Sequence, residues 1–172
     1  MNRKRLVLIA AVVAVVAGTA FFLAPRLDAG TATANLAISA TVPTNCTITG
    51  GTVAFGAYDP LVTNATTELD GTGTFTMSCT KGTAATVSLG LGSNASGSTR
   101  NMKITPTGTD LLTYELYTSS ARTTVWNATN TMAYTSTSKA TVNTMTVYGK
   151  VLPGQDVSAG SYADTVVATI TF

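Results

Sequence analysis

The stretch GSYADTVVATITF, residues 160–172, decides the fold class of this chain. Most apolar side chains in it share one parity, and Thr165, Thr169 and Thr171 share the other, with Val167 as the apolar exception. Alternation with period two is typical of a β-strand that has one face in a core and the other in solvent. The apolar parity holds Tyr162, Val166, Ala168, Ile170 and Phe172. We therefore expect a C-terminal core strand whose last side chain points inward.

The same alternation recurs along the chain after residue 34, with β-branched residues enriched and Gly, Asn, Asp and Ser between the runs. Many short strands separated by turn residues predict an all-β sandwich, and we expect one domain over residues 35–172. The candidate strands are residues 36–42, 46–49, 52–56, 73–80, 85–91, 102–105, 111–118, 123–126, 141–152 and 162–172.

A second amphipathic segment lies at the start of this domain. Its apolar residues are Leu36, Ile38, Ala40 and Val42. Strand patterns at both ends of a domain have two explanations. Either the first and last strands pair within one closed sandwich, or subunits exchange a strand. The pattern alone leaves both open.

Residues 1–34 differ from the rest of the chain. Basic residues at positions 3–5 precede an apolar run, residues 6–24, and small residues follow it. This order is typical of a secretory signal peptide, and we expect cleavage after Ala34, with Ala29 as the second candidate site. The alternative is an uncleaved anchor, because 19 residues at about 1.5 Å each nearly span a bilayer core of about 30 Å. The small residues favour cleavage.

Charge and composition argue against nucleic-acid binding and against catalysis. Without residues 1–34 the chain keeps six basic and seven acidic residues, a net charge of −1, so the +2 of the full chain comes from the leader. Histidine is absent, which removes the common nucleophile systems and the commonest zinc ligand. A glycosidase needs only two carboxylates, but most carboxylates here occupy turn positions. We expect no catalytic residue, no metal and no cofactor.

Cys46 and Cys79 are the two cysteines of the chain. In an exported protein the default for such a pair is a disulfide. It would close a loop of 34 residues and stabilise the fold by about 3–4 kcal/mol in the chain-entropy model. The alternatives, a metal site or reactive thiols, have neither histidine partners nor close spacing.

Aromatic side chains are the candidates for ligand binding, since sugar rings stack on aromatic faces. The competing interpretation is that they cover the faces and ends of the sheets, and we favour it. The residues are Tyr58, Tyr114, Tyr117, Trp126, Tyr134, Tyr148 and Tyr162.

An ordered set of motifs resembles a known family. The motifs are CTI at 46–48, FGAYDP at 55–60, MSC at 77–79, RNM at 100–102, LTYELY at 112–117, Trp126, VYGKV at 147–151 and GSYADTV at 160–166. Together they strongly resemble the spore coat protein U domain, which occurs in subunits of archaic chaperone–usher pili such as Csu-type fimbriae. The likeness covers about residues 35–172. The glycine that often follows the tryptophan in this family is Asn127 here, and no functional expectation depends on it.

The resemblance implies an incomplete immunoglobulin-like β-sandwich that lacks its last strand and is completed by donor-strand exchange. A periplasmic chaperone would fill the gap first, and the N-terminal segment of the next subunit would then replace it. The implied donor segment is residues 35–43, with Leu36, Ile38, Ala40 and Val42 as the inserted side chains. The implied edge of the acceptor groove carries Val166, Ala168, Ile170 and Phe172.

The resemblance further implies a structural pilus subunit that is exported through the periplasm to the cell surface, where it supports attachment and biofilm formation. Its partners would be identical or related subunits, a periplasmic chaperone and an outer-membrane usher, with membrane contact only through the signal peptide. The alternatives are a spore or cell-envelope coat protein and a lectin-like adhesin.

The signal-peptide prediction has a direct test. The protein recovered from the producing cells should begin at Asn35, or at Gly30 if cleavage follows Ala29. N-terminal sequencing or intact-mass measurement distinguishes the two products. A surface-exposed protein that still begins at Met1 would contradict the prediction and support the anchor.

Overall fold

The computed structural model of the protein describes residues 29–172. Most of the predicted signal peptide, residues 1–28, lies outside this range. The described chain belongs to two units, one ending at Ala40 and the other comprising Thr41–Phe172. Residues 29–40 of the first unit form neither helix nor strand. All the regular structure described below lies in the second unit.

The second unit consists of nine strands that pair antiparallel in two sheets. The strands are β1 Cys46–Ala54, β2 Leu69–Cys79, β3 Ala84–Leu89, β4 Arg100–Thr105, β5 Leu111–Tyr117, β6 Met132–Thr135, β7 Asn143–Val151, β8 Ser161–Ala163 and β9 Ala168–Thr171. The larger sheet has the order β1-β2-β7-β5-β4-β8, and the smaller has the order β6-β3-β9. A single 3-10 turn, Thr63–Ala65, interrupts the β1–β2 connection. The predicted all-β sandwich is confirmed.

The core lies between the two sheets and is built from the alternating residues that the sequence indicates. The central strands β2, β5 and β7 of the large sheet contribute alternate side chains, and β3 contributes the opposing layer. The buried cluster comprises Phe75, Met77, Val87, Leu89, Leu112, Tyr114, Leu116, Trp126, Val147 and Val151. Burial of such a side chain contributes about 1.5–3 kcal/mol, so this layer supplies most of the driving force for folding.

The glycine pair at 50–51 does not separate two strands, as the sequence suggested, but forms a bulge inside β1 where it pairs with β2. A Cβ atom on Gly51 would lie 1.6 Å from the carbonyl oxygen of Thr74, so only glycine allows this approach. The bulge inverts the strand's parity, because half-buried residues are even-numbered up to Ile48 and odd-numbered from Val53. One strand therefore presents both segments to the same core.

The predicted C-terminal strand, residues 162–172, is two strands. β8 pairs with β4 in the large sheet, whereas β9 pairs with β3 in the small sheet. The alternation of buried side chains continues through residues 164–167, which cross from one sheet to the other. Alternation with period two indicates which side of the chain faces the core. It does not indicate which sheet provides the backbone hydrogen-bond partners.

Three further expectations were wrong. The chain forms no strand between residues 29 and 45, although residues 36–42 alternate, because a strand needs a partner backbone and none is paired there. Residues 123–126 form only an isolated bridge at Val125. Residues 132–135 were not among the candidate strands, but they form β6, which pairs with β3.

Trp126 and Arg100 tie the two sheets together. The backbone N–H of Trp126 donates to Leu116 O of the large sheet (2.8 Å), and its indole N–H donates to Val87 O of the small sheet (2.9 Å). The fully buried Arg100 guanidinium donates to Trp126 O (2.7 Å) and pairs with the Glu115 carboxylate (3.1 Å). These bonds satisfy a buried cation and a buried indole at the junction of both sheets.

The disulfide between Cys46 and Cys79 is present, as predicted. The two residues face each other in the register of β1 and β2, with Cα atoms 4.1 Å apart. The bond therefore fixes β1, an edge strand of the large sheet, to its only partner strand among the described residues.

Replacing both cysteines with serine should lower the free energy of unfolding by about 3–4 kcal/mol, because the 34-residue loop is no longer closed in the unfolded chain. Denaturant unfolding of the exported protein measures this loss, and reduced wild type should show the same midpoint as the double variant. An unchanged midpoint under reducing conditions would contradict the prediction.

Candidate functional site

The small sheet is too narrow to cover the large one. Six strands at about 4.8 Å spacing face three, so part of the large sheet's inner surface has no strand opposite it. The strand β9 forms one edge of the small sheet, and within residues 29–172 no strand pairs with its outer side. The strand β1 likewise forms an edge of the large sheet. A groove lies between these two open edges.

The groove has a volume of about 580 Å³ and opens directly on the core. One wall consists of β1, with Ile48 and Val53, and of Phe55, which follows β1. The other wall is the chain from Tyr162 to Ala168. The floor consists of core residues from both sheets, namely Phe75, Leu89, Tyr114, Leu116 and Val147. An apolar floor and an unpaired strand edge are the two requirements for binding an extended peptide as an added strand.

Phe55 lies at one end of the groove, across the backbone of the two neighbouring strands β2 and β7. A Cβ atom on Gly71 would lie 2.7 Å from its ring, and one on Gly149 would lie 2.6 Å from it. The ring also meets Tyr114 edge-on, with 5.9 Å between the centroids. A second cavity of about 970 Å³ adjoins the groove, and both are lined by Val53, Phe55, Met102 and Tyr162.

The C-terminal residues predicted to edge an acceptor groove divide into three groups. Val166 and Ala168 line the groove, and Ile170 is half-buried in β9 and packs against the core. Phe172 keeps the expected parity but is 52% exposed, because it follows the end of β9 where no neighbouring strand covers it in the part described. Their role as an acceptor edge remains a prediction.

The residues predicted to act as a donor are exposed. Leu36 is 84% exposed, Ile38 88% and Val42 78%, and Ala40 is also exposed. Isolated exposed apolar residues are common, but three large ones at alternate positions of an unpaired segment form a strip that a partner can cover. Their donor role remains a prediction.

The C-terminal wall of the groove contains one carboxylate. The Asp164 carboxylate shares the parity of Tyr162 and Val166, and it accepts a hydrogen bond of 2.7 Å from the Tyr114 hydroxyl in the groove floor. Burial, and then this bond to the carboxylate, raise the pKa of Tyr114 far above its ordinary value, because both favour the neutral phenol.

The sequence identified only the C-terminal wall of the groove. The opposite wall, with Ile48, Val53 and Phe55, was missed because the glycine pair at 50–51 looked like a turn. The change from even to odd apolar positions across that pair was the available signal of a bulge. The floor residues were expected in the core, but their exposure to a groove depends on which strands the small sheet lacks.

Comparison with known proteins identifies the family. Residues 32–169 match the spore coat protein U domain. The chain is 40% identical to Protein U of Myxococcus xanthus in an alignment that covers 94% of this chain and 97% of that protein. This chain belongs to the spore coat protein U domain family. The resemblance inferred from the ordered motifs of the sequence is confirmed.

A solved structure shares the fold of this spore coat protein U domain. It is the complex of a chaperone and a tip adhesion subunit, CsuC–CsuE, from the archaic chaperone–usher Csu pili of Acinetobacter baumannii. The matched chain is 24% identical, with a TM-score of 0.55, and the alignment covers 77% of this chain but only 40% of that one. The likeness supports the incomplete immunoglobulin-like sandwich as the fold.

The aromatic residues of this spore coat protein U domain mostly serve packing. Trp126 is completely buried, and Tyr114 and Tyr117 are 4% and 9% exposed, so none of these three rings presents a face to a sugar. Residues 29–172 contain no group of three side chains suited to a metal ion. In the same range no helix has the length and apolar character needed to cross a membrane.

The raised pKa of Tyr114 predicts a pH effect. A tyrosine whose folded-state pKa lies above about 10 stabilises the fold below that pH, and the contribution is lost as pH rises toward the folded-state value. Denaturation midpoints should therefore fall more steeply above pH 10 in wild type than in Tyr114→Phe. Equal slopes in the two proteins would contradict the assignment.

Proposed function

We propose that this protein is a structural subunit of an archaic chaperone–usher pilus, and that it polymerises when residues 35–43 of one subunit fill the groove of the next. The observation that carries the proposal is the apolar groove beside the unpaired edge of β9. The inserted segment would pair with β9 through main-chain hydrogen bonds, and its alternate side chains would cover the groove floor.

The dimensions of the two parts agree. Leu36 to Val42 spans six residue steps, about 20 Å at 3.3 Å per step. The wall from Ile48 to Phe55 has seven steps, but the bulge at residues 50–51 takes up one of them, so this wall is also about 20 Å long. Burial of Leu36, Ile38 and Val42 at about 1.5–3 kcal/mol each supplies about 5–9 kcal/mol before ordering costs. Ala40 adds less because it is smaller.

The symmetry of such a contact leads to a filament. The donor and the groove are different surfaces of one subunit, so each added subunit leaves a free donor at one end and a free groove at the other. The groove of a newly exported subunit exposes apolar floor residues, so a periplasmic chaperone would cover them before assembly. An outer-membrane usher would then be the place where the donor of the next subunit replaces the chaperone. The assembled filament, exported to the cell surface, would then support attachment and biofilm formation.

A coat protein of a spore or cell envelope is the second candidate function. The observation that favours it is the 40% identity to Protein U over nearly the whole of that protein, in a family whose domain takes its name from a spore coat. Subunits of a coat could join by the same strand insertion. Immunogold labelling of intact cells and spores separates the two, since a pilus gives labelled fibres and a coat gives a labelled layer.

Ile38→Asp should abolish polymerisation, because it would bury a carboxylate in the apolar groove. Size-exclusion chromatography and negative-stain microscopy of the refolded mature protein measure assembly, and chaperone binding should survive. Ser39→Asp is the matched control, because Ser39 lies on the opposite parity of the donor and should leave assembly intact.

The Ile38→Asp protein also tests whether the loss is specific to the donor. Its groove is unchanged, so it should still accept a wild-type donor and shorten wild-type fibres when it is mixed in below equal amounts. Fibres of normal length and number from the variant alone would refute the assignment of residues 35–43.

A further inference from the structure

Residues 164–167 form a crossing segment between the two sheets. The chain leaves the large sheet after Ala163 and joins the small sheet at Ala168. Within the crossing segment, Asp164, Thr165 and Val166 line the groove. Neither sheet's strand ladder holds these residues, so other contacts must set the position of this wall.

The carboxylate of Asp164 provides such contacts. Its Oδ1 accepts from the backbone N–H groups of Ser93 (2.9 Å) and Asn94 (3.1 Å) and from the Asn94 side-chain amide (3.0 Å). Its Oδ2 accepts from the Tyr114 hydroxyl (2.7 Å). A carboxylate in an otherwise apolar row is costly to bury unless it is hydrogen-bonded, and charge-assisted bonds of this kind are about twice as strong as neutral ones.

The β3–β4 loop is shaped around this carboxylate. Gly92 has a positive φ of 92°, and a Cβ atom there would lie 1.9 Å from the Asp164 Oδ2. The neighbours of Asp164 are bound to the same loop, since Ala163 O accepts from the Asn94 side chain (3.1 Å) and Thr165 O accepts from Ser93 N (3.1 Å). At the far end of the crossing segment, Val167 O accepts from Gly90 N (2.9 Å).

We propose that Asp164 is a positioning residue, which sets the C-terminal wall of the groove in its strand-accepting shape before any donor arrives. The inference rests on the proposed function and deepens it. Through Tyr114 the carboxylate joins the wall to the groove floor, and through residues 93–94 it joins the wall to the loop. An incoming strand then meets a formed edge and need not order residues 164–167 itself, which speeds association.

The test separates positioning from general stability. The acceptor is the full mature chain carrying Ile38→Asp, whose own donor is disabled, and the probe is a synthetic peptide of residues 35–43. Adding Asp164→Asn should slow peptide association about tenfold while the dissociation rate changes little. Asp110→Asn is the matched control, because Asp110 also accepts a loop N–H, from Ser158 (2.8 Å), but does not line the groove.

Tyr114→Phe removes only the hydroxyl and serves as the milder second variant. If floor and wall are joined through this bond, Asp164→Asn should slow association less in the Tyr114→Phe background than in the parent. Fully additive effects would overturn the joint role. Unchanged association in Asp164→Asn would overturn the positioning role and leave the proposed function standing.

Hydrogen exchange keeps the two proposals distinguishable. If the peptide fails to bind even the parent with Asp164 intact, the proposed function fails. Exchange in the peptide-free protein then decides the inference by itself. The Gly90 amide reports on the crossing segment, because it donates to Val167 O and does not contact Asp164 itself. Faster exchange at Gly90 in Asp164→Asn, and not in Asp110→Asn, supports positioning, whereas equal exchange at this amide overturns it.

Discussion

A six-stranded sheet packs against a three-stranded one, and this difference in width leads to the groove and the open edge. Apolar side chains of the wide sheet need cover, and the narrow sheet ends at β9 before it has covered them. The outer edge of β9 also has backbone groups that no strand in the described chain satisfies. The uncovered apolar side chains and the unpaired backbone groups of β9 lie side by side. One added strand can therefore cover the former and pair with the latter.

An incomplete sandwich must keep its shape without the strand that would complete it. Polar contacts at the sheet junctions serve this purpose here. Trp126 and Arg100 connect the sheets on the side of Leu116 and Glu115, and Asp164 holds the crossing between β8 and β9. Each is a buried or half-buried group with its hydrogen bonds satisfied, so each specifies one relative position of the elements it joins.

The errors of the sequence interpretation have a common cause. The glycine pair at 50–51 is a bulge because the Thr74 carbonyl of the neighbouring strand approaches it, and residues 162–172 divide because two different strands supply their partners. In both cases the deciding atoms belong to segments distant in sequence. Local alternation carries no information about them, although the parity change between Ile48 and Val53 was visible.

The fold class, the core-facing parity of the C-terminal strands, the Cys46–Cys79 pair and the family could all be inferred from the sequence, because they follow from local periodicity, composition and motif order. Only the tertiary structure decided that β9 is an open edge, that β1 forms the opposite wall, and that Asp164 is bound to Tyr114 and the β3–β4 loop. Those features depend on which strands become neighbours. Strand pairing is determined by interactions between residues far apart along the chain, which local sequence patterns do not describe.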